Sequence, residues 1–140
     1  MDSFAPKKRS EIMSKIRSKN TRPEFIVRKL LHKLGYRFRI HSNILPGKPD
    51  IVLKKHNTVI FVNGCFWHHH KGCKRSNWPK SNKDYWIPKI KRTIQRDSDS
   101  QKELVNLGWN VLVIWECETK KTEKLFEIIK KIETEKDYIL

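Results

Sequence analysis

Apolar positions recur in this chain with two rhythms, three-and-four spacing and near-continuous or alternate runs, and polar breaks separate them. From Asn20 or Thr21 a capping residue, Pro23 in the first turn, Glu24 near the positive end and apolar Phe25, Ile26, Leu30, Leu31 and Leu34 predict an amphipathic helix stopped by Gly35. "YRFRI" alternates ring or aliphatic side chains with arginine and predicts a half-exposed strand before the loop "HSNILPGKPD". "DIVL" and "TVIFV", joined by the polar "KKHN", predict a hairpin of two buried strands. A capped helix is expected from near Ser81 to about Leu107, bent or interrupted at Pro88 and ended by Gly108. "WNVLVIW" has the continuous apolar character of a central strand covered on both faces. A last helix over residues 122 to 135 carries Leu125, Phe126, Ile128, Ile129 and Ile132. Ahead of all these, Ile12, Met13 and Ile16 suit a short helix in the basic first twenty residues, lying on the body or on DNA. The order is two helices, three strands, a helix, a strand and a helix, an α/β sheet with helices on both faces and no internal repeat.

At 140 residues the chain suits one core and is read as a single domain, 1–140. Charge changes the picture more. Thirty-one Lys and Arg against fifteen Asp and Glu leave a formal +16, spread along the whole chain. Such self-repulsion points to a polyanionic partner, and with no long apolar face beside a basic one, nucleic acid fits better than a membrane surface. "VIFV" and "VLVIW" are far too short to cross a bilayer, and "MDSFAPKKRSEIM" lacks the apolar centre of a signal peptide, so a cytoplasmic protein is expected.

One loop concentrates unusual chemistry. In "FVNGCFWHHHKGC", Cys65, His70 and Cys73 follow a C-x4-H-x2-C spacing, and Cys117 lies just past the strand "WNVLVIW". A sheet that brings that strand end beside the loop completes a Cys3His tetrahedron with no open position, the make-up of a structural zinc site. His68 and His69 adjoin His70, and only one imidazole is required. Metal binding would supply folding free energy to a loop without its own core and immobilise Phe66, Trp67 and His68.

"LPGKPD" places Asp50 at the mouth of a strand behind two prolines and a glycine. Taken alone, such an aspartate is more often a turn residue or cap. In a basic protein it can also hold Mg²⁺ against a phosphodiester. "PD", a hairpin strand, a helix and another strand follow the layout of PD-(D/E)xK nucleases, except that "FVNGCFWHH" stands where the second acid and lysine would be.

From about Arg9 to Cys117, "PGKPD…VIFVNGCFWHHHKGC…WECE" resembles the very short patch repair (Vsr) endonucleases, the mismatch-nicking branch of that superfamily. The resemblance implies a restriction-endonuclease-like core, a mixed sheet flanked by helices, and nicking of duplex DNA 5′ to the thymine of a T:G mismatch left by deamination of 5-methylcytosine. It implies Mg²⁺ held by Asp50 and the backbone carbonyl of Val62. His68 is then the general base, Glu24 supports metal-bound water, and Asp97 orients the histidine. Without that resemblance, Glu24 reads better as a helix-dipole partner and Asp97 as a solvated helix residue. Where well-known members carry a histidine before the glycine, this chain has Asn63, which can hydrogen-bond but not shuttle protons near neutrality.

Phe66, Trp67 and Trp86 would ordinarily be core residues. The resemblance implies instead that these rings intercalate beside the mismatch, where opening a step costs least. Residues 1–19 and the 71–96 region would supply phosphate contacts, and about six of them would lower affinity on the order of a thousandfold between low and moderate salt. Expected partners are T:G-mismatched duplex DNA, mismatch-repair proteins and a downstream polymerase, with no membrane and no small-molecule substrate, in a bacterial, nucleoid-associated setting. The alternatives are a restriction-type or sequence-relaxed endonuclease and a catalytically weakened, zinc-stabilised DNA-binding module.

Overall fold

The computed structural model describes residues 20–74 and 78–134. The helix expected around Ile12, Met13 and Ile16, and the DNA contacts expected of residues 1–19, lie outside the described residues. Helix α1 spans Arg22–Lys33, with the Thr21 hydroxyl accepting from the Glu24 N–H at 3.4 Å and Pro23 in the first turn. Its end is closed by Gly35 at φ +89°, a left-handed position that lets Tyr36 N–H return to the Leu31 carbonyl at 2.9 Å. Its inward face differs from the expected one. Glu24, Val27 and Leu31 are buried, whereas Phe25 and Leu34 are exposed, because the sheet selects the 24-27-31 stripe and Phe25 is turned about 100° away from it.

Of "YRFRI" only Arg39–Ile40 forms a strand, β1; Tyr36 and Phe38 are instead partly buried against the core. β2 is Ile51–Leu53 and β3 is Thr58–Asn63, antiparallel with Ile51 opposite Ile60 and Leu53 opposite Thr58. A 3-10 turn over Lys54–His56, closed by Asn57 at φ 53°, joins them. Helix α2, Lys83–Asn106, crosses over to β4, Asn110–Trp115, which runs parallel to β3.

Three expectations are corrected here. α2 continues through Pro88 without interruption, since the proline falls in the second turn and removes only one early hydrogen bond. The helix start at Asn82 makes no side-chain cap bond. Among the described residues the sheet order is β1-β2-β3-β4, which puts β4 at the edge of that sheet rather than in its centre. Its continuous apolar run is explained by cover on both faces.

The alternation within β3 and β4 sorts the core into two layers. Ile60, Val62, Leu112 and Ile114 face α1 and a last helix α3, Thr122–Thr134, packing with Val27, Leu31, Leu125, Ile128, Ile129 and Ile132. Val59, Val111 and Val113 face α2 through Leu104. Each fully buried Leu or Ile side chain contributes about 1.5–3 kcal/mol. Phe126 of α3, also expected inside, stays 39% exposed. Among the described residues no helix is long and apolar enough to cross a membrane.

Candidate metal centre and catalytic cleft

β3 and β4 end together, with Asn63 opposite Trp115, so Cys65 and Cys117 leave the sheet side by side. Tight turns then fold the loop back: His70 N–H donates to the Cys65 carbonyl at 2.9 Å and Cys73 N–H to the His70 carbonyl at 3.1 Å. The ligand atoms of Cys65, His70, Cys73 and Cys117 all lie within 4.8 Å of one another. Cys65 Sγ and Cys117 Sγ are 3.7 and 3.4 Å from His70 Nδ1. Ligands of one tetrahedral ion at 2.0–2.3 Å stand roughly 3.5–4 Å apart, so this set could hold a metal ion. Burial pushes the Cys65 thiol up to about 12 and the Cys117 thiol upward. The same burial lowers the His70 imidazole, which favours the neutral, ligating form. A cation among the sulfurs would reverse the thiol preference. The His70 ring is further fixed by stacking on Trp115, at 4.2 Å and 7° between planes. The other two histidines point elsewhere, His69 against Trp78 and His68 towards Asp97.

The second centre is a cleft of about 450 Å³ on the same strand ends. Its floor is set by the loop before β2. Lys48 N–H bonds to the Leu45 carbonyl at 3.1 Å around Pro46 and Gly47, with Gly47 at φ +72°, the arrangement of a type II turn. A Cβ on Gly47 would lie 2.7 Å from Ser100 Cβ, so this loop presses directly on α2. Asp50 then enters β2, and its Oδ2 accepts from Val62 N–H at 2.7 Å. In an extended strand the N–H and C=O of one residue face the same edge, so the Val62 carbonyl faces the Asp50 side as well. A carboxylate and a carbonyl there form a hard-oxygen donor pair suited to a divalent cation. Burial raises the Asp50 carboxyl to about 6; the Val62 hydrogen bond opposes the rise, the Glu24 charge adds to it, and His41 and His68 oppose it.

His68 and Asp97 meet in this cleft, Nδ1 to Oδ2 at 2.6 Å. Asp50, Val62, Asn63, Trp67, His68 and Asp97 all line it. Asn63 is buried at 5% exposure, and with His68 and Asp97 it also borders a neighbouring cavity of about 810 Å³. Glu24 is buried at 1% exposure and does not line the cleft; it connects to it through His41, whose Nε2 is 3.1 Å from Glu24 Oε2. Glu24 is therefore a buried, multiply hydrogen-bonded carboxylate and not merely a helix-end charge.

Phe66, Trp67 and Trp86 pack edge-to-face as one cluster, with centroids 5.5, 5.6 and 5.4 Å apart. Trp86 is only 7% exposed, so in the free protein it does not project. Tyr85 stands edge-on to Trp86 at 4.8 Å, and Lys89 Nζ lies 5.4 Å from the Trp67 and Tyr85 ring centres. Sequence reading missed His41, Arg28 and Tyr85, and named Lys89 only as part of the basic 71–96 region. Tyr85 and Lys89 flank Trp86 at helical spacing and could have been found that way; His41 is 17 positions from Glu24, with no periodicity to link them.

Comparison with known proteins decides the kinship. The family model "DNA mismatch endonuclease Vsr" matches residues 1–75. The chain belongs to the Vsr family. It is 51% identical over 117 residues to the type II nicking enzyme V.XorIIP of Xanthomonas oryzae pv. oryzae, an alignment covering 84% of this chain and 85% of that one. It is 44% identical to the type II nicking enzyme V.NmeAIP of Neisseria meningitidis, covering 94% and 96% of the two chains. The DNA mismatch endonuclease Vsr of Escherichia coli is 39% identical, over 84% of this chain and 74% of its own. Family membership makes this Vsr chain a phosphodiester hydrolase by kinship.

Proposed function

We propose that this Vsr-family chain is a Mg²⁺-dependent, zinc-stabilised endonuclease that nicks one strand of duplex DNA 5′ to the thymine of a T:G mismatch. The observation that carries the reading is the 2.6 Å His68–Asp97 pair opening into the same cleft as Asp50 and the Val62 backbone. Its core is read as restriction-endonuclease-like, residues 1–140 as one domain and residues 1–19 as part of the DNA contact. Its setting is taken as the cytoplasm, with repair proteins and a polymerase acting after the nick.

Asp50 and the Val62 carbonyl would hold Mg²⁺, which supplies charge neutralisation on a phosphodiester oxygen. The remaining roles belong to side chains. Asp97 accepts from His68 Nδ1–H, fixing the ring so that Nε2 can take the proton from an attacking water. Asn63 presents an amide where it can orient that water or a phosphate oxygen without moving protons. Zinc in the Cys65, His70, Cys73 and Cys117 set would tie the His68 loop to the end of β4. For the mismatch, Phe66, Trp67 and Trp86 would part from one another and enter a weakened base step, replacing ring–ring contacts with ring–base stacking.

The test is nicking of matched and T:G duplexes of equal sequence, with Asp50→Ala as control. Single-strand cuts at T:G alone are expected, with Asp50→Ala lowering the rate at least ~1,000-fold, the several kcal/mol such a site contributes. Equal cutting of matched DNA would remove the specificity, and double-strand cutting would favour a restriction-type enzyme. Tight mismatch binding without any Mg²⁺-dependent product would identify a binding module, to which Asn63 in the histidine position would then be relevant.

A further inference from the structure

The geometry points to His41 as a positioning residue that carries a proton on Nε2 and locks the Glu24 carboxylate to the Asp50 strand. This inference rests on the cleft reading above and adds a residue to it. Three donors or donor-capable atoms converge on Glu24 Oε2: Arg28 Nη2 at 2.7 Å, the Asn20 N–H at 3.0 Å and His41 Nε2 at 3.1 Å. Arg28 Nη2 also lies 3.1 Å from Asn20 Oδ1 and 3.1 Å from His41 Nε2. A guanidinium Nη2 has two hydrogens and no lone pair to offer. The two oxygens, on Glu24 and Asn20, are acceptors only and take both. His41 Nε2 is thereby left without a hydrogen to receive from Arg28, so it serves as a donor, to Glu24 Oε2.

The main chain of the same residue reaches the other carboxylate's strand. His41 N–H bonds to the Asp50 carbonyl at 3.0 Å, extending the ladder beyond Ile40 and Ile51. His41 holds a left-handed backbone, φ 52°, a region that costs any residue with a Cβ. The strain persists because main chain and ring are fixed at both ends. One residue therefore ties α1 to the start of β2, and all the named contacts use Oε2, which orients the other carboxylate oxygen, Oε1. Losing this tie leaves Arg28 and Asn20 in place, so Glu24 remains buried while its orientation relaxes.

The experiment uses zinc-loaded, full-length protein. Long-range ¹⁵N–¹H correlation of histidine-labelled protein without magnesium should show His41 as the Nε2–H tautomer; an Nδ1–H tautomer would overturn the assignment without any variant having to fold. In nicking assays, His41→Leu should raise the magnesium concentration for half-maximal rate about tenfold. Affinity for T:G duplex in magnesium-free buffer should stay unchanged. His41→Gln, which bears the same backbone strain and restores an N–H donor, should recover most of the loss. Equal magnesium midpoints for parent, His41→Leu and His41→Gln would overturn the positioning role. Undiminished cutting by Asp50→Ala in the same series would instead overturn the cleft reading beneath it.

Discussion

The two centres share the ends of β3 and β4 but are built in opposite ways. In the cysteine–histidine knot three of the four ligand-bearing residues lie within nine positions of sequence, and the fold adds Cys117. In the cleft, His41, Asp50, Val62, His68 and Asp97, with Glu24 behind His41, come from helices, loops and strands spread over most of the described chain, and each acid is held by a different partner. The knot leaves its soft ligands to one another, ready for an ion that would reverse their preference for protons. The cleft supplies protein donors to every acid and keeps Asp50 above its ordinary carboxyl range. A centre assembled from near neighbours fails as a unit, whereas one assembled from distant pieces can be altered one contact at a time.

Breaking the knot is the harshest test of that contrast. In zinc-loaded protein, Cys117→Ser should lose the metal and lower the melting temperature by about 10 °C or more, because an ion held by the knot would supply folding free energy to the loop. Nicking should disappear with it, since His68 rides on the same loop. Metal analysis together with thermal melting checks this, and a variant that keeps its fold and rate without metal would show that the cleft stands independently.

A change inside the cleft should be graded instead. Asp97→Asn replaces the carboxylate opposite His68 Nδ1 and should reduce kcat about 100-fold while zinc content and melting stay at parent values. Single-turnover rates would report it; a matching loss of metal would erase the distinction between the centres.

Stability against pH gives a smaller and more specific effect. The Asp50 carboxyl rises from 3.8 to about 6 on folding, chiefly by burial. Without magnesium, its contribution is fully favourable below about pH 3.8 and is lost as pH rises through about 6. Asp50→Asn should then exceed the parent in stability at pH 8 by up to about 3 kcal/mol, with the gap narrowing towards pH 4. Urea unfolding in magnesium-free buffer measures the gap, and a pH-independent gap would refute its origin in the buried charge. The smallest effect expected is that of Gly47→Ala, about 1–2 kcal/mol, from a methyl forced against Ser100 at φ +72°. It should weaken nicking while metal content in the knot holds.

The same contrast explains what could be read from the chain. The hairpin, the capped first helix and the C-x4-H-x2-C knot are local patterns, and the fold reproduces them. The Val27 face of α1 was missed because an apolar list does not say which stripe the sheet will choose, and "WNVLVIW" was placed centrally because burial on both faces looks the same at an edge covered by helices. Asp50 stands out in "LPGKPD" itself, whereas the roles of His68 and Asp97 follow from family resemblance and not from spacing. His41 escaped even that, since its meaning depends on where Glu24, Arg28 and Asn20 end up in space.

The in-register pairing of Asn63 with Trp115 has a consequence for assembly of the molecule. Sliding β4 along β3 by two residues would preserve which side chains face inward yet carry Cys117 about 6.6 Å away. That exceeds the 4.8 Å span of the whole cluster. A captured ion would thus act as a proofreader of strand alignment, closing only over the correct pairing and rejecting the even-residue slips that hydrophobic patterning alone would tolerate.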